Sequence, residues 1–192
     1  SGLPAGIFPL QQEPKKPTMN SKIHTVTGAF GYSGRYIARD LLARGVKVRT
    51  LTNHPDKPHP FKERFEGRID IAPLDFTRPV ALAKSLQGTE VLYNTYWVRF
   101  SHGEQTHHRA VEHTRMLVQA ACDAGVRRIV HVSIANPDPK SPLPYYRGKA
   151  EIEAMIQSSE LNYAILRPAV LFGGETPAEA VLLNNITWLL RR

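Results

Sequence analysis

The sequence predicts an α/β fold: a Rossmann-like, doubly wound parallel sheet with helices on both faces. Three observations carry this expectation. Short runs rich in β-branched residues alternate along the chain with longer segments of helical period. The first such run opens through a glycine-rich turn into a helix, as Ile23 to Leu42 read IHTVTGAFGYSGRYIARDLL. A later run, Arg127 to Ser133 (RRIVHVS), is nearly continuous in apolar residues, the pattern of a strand buried on both faces. Such alternation implies right-handed βαβ units.

In the first unit, Ile23, Thr25, Val26 and Thr27 predict a strand, and Tyr36, Ile37, Leu41 and Leu42 mark one face of the helix that follows. Between them Gly28, Gly31 and Gly34 are spaced G-x-x-G-x-x-G. Gly28 suits a turn closed to residues with a Cβ, Gly31 permits close approach of a ligand, and Gly34 permits close packing of the helix. The helix N-terminus then offers N–H groups and a positive dipole end to a pyrophosphate. Phe30 and Tyr32 within this turn, and Arg35 just after it, are candidate cofactor contacts.

Val46 to Leu51 predicts the second strand, and at its end a carboxylate would accept hydrogen bonds from the 2′-hydroxyl of NAD. The chain has Thr52, Asn53 and His54 there instead, with Arg35, Arg49 and Lys57 nearby. That balance favours NADP(H) over NAD(H), although Asn53 can also serve a hydroxyl. A proline-rich connector leads to a third strand, Arg68 to Leu74, followed by Asp75 and Phe76. A short helix is expected over Pro79 to Leu86, capped by Thr77 and ended by Gly88. Glu90 to Asn94 predicts the fourth strand and runs into an aromatic cluster, Tyr93, Tyr96, Trp97 and Phe100, suited to core packing or to substrate contact. Ala110, Val111, Thr114, Leu117, Val118, Ala121 and Cys122 lie on one face of a helix spanning Glu104 to Ala124, ended by Gly125. After the strand ending at Ser133 comes a loop with four prolines, then a helix (Tyr145 to Ser158), a strand (Asn162 to Leu166) and a last helix (Ala178 to Leu190).

Residues 1–21, with four prolines and no periodicity, read as a flexible leader with Met19 a candidate start. Residues 22–174 form the NAD(P)-binding domain, and residues 175–192 begin a further region. The single cysteine, Cys122, excludes an internal disulfide and points to a reducing cytoplasm. No apolar run approaches the roughly 20 residues of a membrane span. The net charge of +8 is scattered, without an arginine-rich helix or RNA-binding signature, which argues against specific nucleic-acid binding. His102, His107, His108 and His113 crowd the start of the long helix, but His108 and His113 diverge around it and no H-E-x-x-H supports a metal site. No metal is therefore expected.

Ser133, Tyr145 and Lys149 form a candidate catalytic constellation. Tyr145 and Lys149 are four apart on a helix and share one face. A nearby ammonium favours tyrosinate, bringing a phenol of pKa about 10 toward the useful range. Ser133 ends the preceding strand, where a hydroxyl can hold a substrate oxygen beside the phenol. Tyr146 is three from Lys149 and lacks that spacing.

With these motifs in place, the chain resembles the short-chain dehydrogenase/reductase superfamily. TGAFGYSG (Thr27 to Gly34) resembles the cofactor fingerprint of its extended and atypical branches, ACDAGVRRIVHVS their helix-to-strand segment, YYRGK their active-site pair, and YAILRPAVLFG (Tyr163 to Gly173) the strand end near the nicotinamide. NmrA-like proteins and the NAD(P)H-binding accessory subunit of respiratory complex I are the nearest in character. The resemblance implies that Ser133 polarises the substrate, Tyr145 is the catalytic acid/base, and Lys149 lowers its pKa while binding the nicotinamide ribose. It also implies Asp75 and Phe76 by the adenine, Thr95 by the ribose, and Pro168 to Val170 by the nicotinamide. Extended members often place an asparagine near the start of the long helix, where this chain has Ala110 with His113 close by. The family also continues for roughly a hundred residues beyond the sixth strand, so this chain is expected to be a fragment of a longer protein, in preference to a minimal nucleotide-binding module without its lid. Its apolar end needs a partner surface, in the rest of the chain or in a homodimer. The implied function is an NAD(P)-dependent oxidoreductase or sugar-nucleotide epimerase/dehydratase acting on a small-molecule substrate. The alternative is a non-catalytic NAD(P)H-binding sensor or assembly protein.

Overall fold

The computed structural model describes residues 22–55, 62–65, 67–98 and 106–171. The leader, the helix expected over Ala178 to Leu190, and Lys57, Phe100, His102 and Glu104 lie outside these residues. The described strands are β1 (Ile23–Thr27), β2 (Lys47–Thr52), β3 (Ile69–Pro73), β4 (Thr89–Asn94), β5 (Arg128–Val132) and β6 (Asn162–Leu166). The helices are α1 (Gly34–Ala43), α2 (Pro79–Ser85), α3 (His107–Asp123) and α4 (Pro144–Gln157).

All six strands are parallel, in the order β3-β2-β1-β4-β5-β6. The order reverses between β1 and β4, so their carboxyl ends open a crevice, the usual ligand position in such sheets. Register across this seam pairs Thr25 with Leu92 and Val26 with Tyr93. The hydroxyls of Thr25 and Thr89 meet at 2.7 Å, which satisfies two buried groups at the base of the seam.

The two faces of the sheet are covered unequally. α1 lays Ala38 and Leu41 on Val26 and Val48 of β1 and β2. The opposite face carries the larger core, with Leu82 of α2, Leu117 and Ala121 of α3, and Ile152 and Ile156 of α4 over Leu51, Leu92 and Ile129. Each of these large side chains is fully buried and contributes about 1.5–3 kcal/mol by leaving water. Gly45, Gly88 and Gly125 sit at positive φ just past α1, α2 and α3.

Two helix starts differ from expectation. Thr77 does not cap α2: Arg78 holds the cap position without a side-chain bond, and the Thr77 hydroxyl donates to Asp75 Oδ1 at 2.6 Å instead. The Asp75 carboxylate also accepts from the Thr77 N–H, and this local turn outcompetes the cap. α3 begins at His107, where Thr106 caps it by accepting from the Arg109 N–H at 3.1 Å.

Candidate cofactor and active site

β1 delivers the chain to Gly28 at φ +66°, in the left-handed region, and the turn folds back as the Gly31 N–H donates to the Gly28 carbonyl at 2.8 Å. Thr50 of β2 ties the turn down, its hydroxyl accepting from the Ala29 N–H and donating to the Val26 carbonyl. A Cβ on Gly34 would fall against the Gly28 carbonyl, 2.9 Å from its carbon. Gly34 therefore allows α1 to pack on the turn itself rather than more generally on the sheet. α1 starts from Ser33 with no side-chain cap, which leaves its N-terminal N–H groups uncapped by side chains.

A cavity of about 400 Å³ lies above this turn, lined by Thr27, Gly28, Gly31, Tyr32, Gly34, Asn53, Thr95, Tyr96 and Trp97 among others. Six of the residues expected at a cofactor thus share one cavity wall: Gly28, Gly31, Tyr32, Gly34, Asn53 and Thr95. Thr27 links its two sides, its Oγ1 accepting from the N–H groups of Thr95 and Tyr96 while its carbonyl accepts from the Thr95 hydroxyl at 2.6 Å. A side-chain-free turn, a helix start and a polar strand end suit the pyrophosphate and ribose of a dinucleotide.

Other expected residues lie elsewhere. Phe30 turns away into a separate cavity of about 380 Å³ beside Phe65. Arg35 is buried, its guanidinium over the rings of Tyr32 and Tyr36 at 5.4 and 4.9 Å. Arg49 donates to the carbonyls of Ser85 and Gln87, so its charge is directed at the end of α2. Asp75 does not line the cavity: hydrogen bonds from Thr77 and Arg78 hold its carboxyl at about 2. Phe76 is buried and stacks on His113 at 4.1 Å. Pro168 accepts from the Ala135 N–H across the β5–β6 ends, and Val170 is exposed.

The three candidate catalytic residues do not line the glycine-turn cavity, and Tyr145 and Lys149 meet its wall through Trp97. Ser133 follows β5 and is 3% exposed; its Oγ makes no well-formed hydrogen bond among the described residues but lies close enough to the Glu153 carboxylate to favour its ionised form. Lys149 is 2% exposed, donates to the Val132 carbonyl at 2.9 Å, and lies 4.4 Å from the Trp97 ring centroid. Burial pulls its ammonium down to about 7, against the charge of Glu153. Tyr145 sets its ring edge-on to Trp97 at 5.7 Å and to His107 at 5.5 Å. Trp97 thus touches both members of the Y-x-x-x-K pair. Tyr146 is exposed and packs edge-on to Tyr145.

Two partners here, Glu153 and His131, escaped sequence reasoning. Glu153, one turn beyond Lys149, is 4% exposed and takes a forked ion pair from Arg167, with Nε at 3.0 and 3.1 Å from its two oxygens. Burial opposes its ionisation, but hydrogen bonding from Arg167, the nearby Ser133 hydroxyl and the charges of Arg167 and Lys149 hold the carboxyl below its usual range. The i, i+4, i+8 spacing of Tyr145, Lys149 and Glu153 was the available signal. His131, fully buried in β5, meets the Asn94 amide at 3.1 Å, and burial lowers it to about 3. Asn94 Oδ1 accepts from the Tyr96 N–H, so its amide N–H faces His131 Nδ1 and the imidazole proton belongs on Nε2. His113 accepts or donates at 2.7 Å with the Tyr96 hydroxyl, and burial, then the charge of Arg109, lowers its pKa. Ala110, beside it, is fully buried. Among the described residues no three His, Cys, Asp or Glu side chains gather as a metal site, and no helix is long and apolar enough to cross a membrane.

Residues 28–186 match the NAD(P)H-binding family. The chain belongs to that family. With its strand order and glycine turn it falls in the extended short-chain dehydrogenase/reductase superfamily. It is 29% identical over 156 residues to the NADH-ubiquinone oxidoreductase 40 kDa subunit of Neurospora crassa, covering 79% of this chain and 41% of that protein. It is 28% identical over 149 residues to the photosystem II assembly factor Ycf39 of Cyanophora paradoxa, covering 78% of this chain and 46% of that one. Among solved structures, the Citrobacter sp. triphenylmethane reductase complexed with NADP(H) superposes with a TM-score of 0.62 at 22% identity, over 78% of this chain and 50% of the reductase. The chain thus spans half or less of the length of these proteins.

Proposed function

We propose that the protein is an NAD(P)-dependent oxidoreductase, or a sugar-nucleotide epimerase/dehydratase, of the short-chain type, preferring NADP(H). The observation that supports this best is a buried lysine and a tyrosine one helical turn apart, both against Trp97, whose ring also lines the glycine-turn cavity. The nicotinamide, when bound, supplies or receives hydride. Ser133 then holds the substrate oxygen through its buried Oγ, and Tyr145 gives a proton to that oxygen in reduction or takes it in oxidation. Lys149 steadies the tyrosinate that forms. The preference for NADP(H) rests on Asn53 and His54 at the cavity wall, whose described lining includes no carboxylate to repel a 2′-phosphate.

The test is to compare the wild type with Tyr145→Phe, following NADPH oxidation across a panel of aldehydes, ketones and quinones and NADPH affinity by fluorescence titration. The variant should lose turnover and keep its affinity within about twofold. Full activity in the variant would remove Tyr145 from the role. The second reading is a non-catalytic NAD(P)H-binding protein, favoured by two relatives named as a complex subunit and an assembly factor. Tight NADPH binding without oxidation of NADPH by any acceptor would select it.

A further inference from the structure

We propose that Trp97 is a positioning residue that holds Tyr145 and Lys149 in register for proton transfer. The proposal rests on the acid/base reading of Tyr145 and adds to it a residue outside the Y-x-x-x-K motif. Trp97 follows β4 at the rim of the cavity, on a different element from the pair that it organises. Its ring meets the Tyr145 ring at 5.7 Å with an interplanar angle of 85°, the favourable edge-to-face arrangement. The Lys149 ammonium lies 4.4 Å from the Trp97 ring centroid. At 2% exposure Lys149 has little water to solvate its charge, so the ring quadrupole is one of few groups favouring the ammonium.

The ring is itself held. His107 stacks parallel to it at 5.7 Å and 9°. Gly148, between the paired residues, brings α4 so close that a Cβ there would meet Trp97 Cη2 at 3.2 Å and Val111 Cγ2 at 3.0 Å. Trp97 is therefore wedged between α3 and α4, and a change in its place moves the phenol and the ammonium together. Among the described residues the ionisable groups around the pair include His107 from α3, Tyr146 and Glu153 from α4, His131 from β5 and, paired with Glu153, Arg167 after β6. Trp97 touches both Tyr145 and Lys149.

The test is a spectrophotometric titration of the Tyr145 phenol, isolated by subtracting the curve of Tyr145→Phe, in the wild type, Trp97→Leu and Trp97→Phe. NADPH affinity and thermal unfolding are measured on the same samples. The wild-type phenol should ionise below its ordinary pKa of about 10. Trp97→Leu should move it upward by at most about 1.5 pH units, roughly thirtyfold, because a desolvated cation–π contact is worth that much and it acts first on the Lys149 ammonium. Trp97→Phe, which keeps a π face, should recover most of the shift. A merely structural tryptophan would lower the melting temperature of both variants without moving the titration, and that result overturns the proposal. If the wild-type Tyr145 ionises like a free phenol, the acid/base reading falls as well, which separates the two failures. Should Trp97→Leu not fold, Trp97→Met fills similar volume without a ring and is read in the same way.

Discussion

Arg167→Ala tests the ion pair that ties the end of β6 to α4 beneath the candidate catalytic residues. The substitution leaves Glu153, 4% exposed, without its forked partner. Removing one member of a fully buried pair costs about 3–5 kcal/mol. Here the Arg167 side chain is 53% exposed, so water can reach the vacated position, and Lys149 lies one turn away. A loss of about 2 kcal/mol is therefore the expectation. For a chain of this size that is roughly 4–8 °C in melting temperature. The pH dependence follows from the lowered carboxyl of Glu153. Its contribution is present above the ordinary carboxylate range and lost as pH falls through the folded value, because the unfolded state then binds the proton first. The gap between wild type and variant should accordingly be full near neutrality and close in acid, below the ordinary carboxylate range. Thermal unfolding followed by circular dichroism across that range is the assay. A gap below about 1 °C at neutrality, or one that widens in acid, would refute the argument.

Three further outcomes are expected. Gly34→Ala should cost about 1–3 kcal/mol and weaken NADPH binding by tenfold or more, since the new methyl displaces the Gly28 carbonyl; melting and fluorescence titration check both. His131→Gln should flatten the acid limb of the stability curve. His131 is held neutral down to about 3, so between its ordinary pKa and that value the wild type loses up to ~1.4 kcal/mol per pH unit. Denaturant titrations across that window that give equal slopes for the two proteins would contradict this. In parallel titrations NADPH should bind more tightly than NADH, and the reverse order would cancel the cofactor preference.

Much of the fold was legible because its signals are local. The β-branched runs, the glycines past α1, α2 and α3 and the apolar faces placed all six described strands and four described helices within a few residues of their observed ends. The glycine spacing likewise pointed to a turn whose steric demands appear in the Gly28 and Gly34 backbone. Less was legible where a side chain chooses among partners distant in sequence. Asp75 and Arg35 both looked available to a cofactor, yet Thr77 and Arg78 occupy the first, and the rings of Tyr32 and Tyr36 lie against the second. The aromatic cluster read equally as core or cleft because Tyr96 faces His113 while Trp97 faces α4, and no periodicity distinguishes those destinations.

By itself the sequence determined that this is a parallel, doubly wound sheet with a glycine turn at its first strand end. Those properties follow from residue spacing and backbone sterics, which act within one βα unit. The tertiary structure alone decided which charges are desolvated and what they touch. Sheet order brings β1, β4 and β5 side by side, and only then do Asn94 and His131 meet and Lys149 reach the Val132 carbonyl. Burial sets the charge of such groups, and burial is a property of the packed whole.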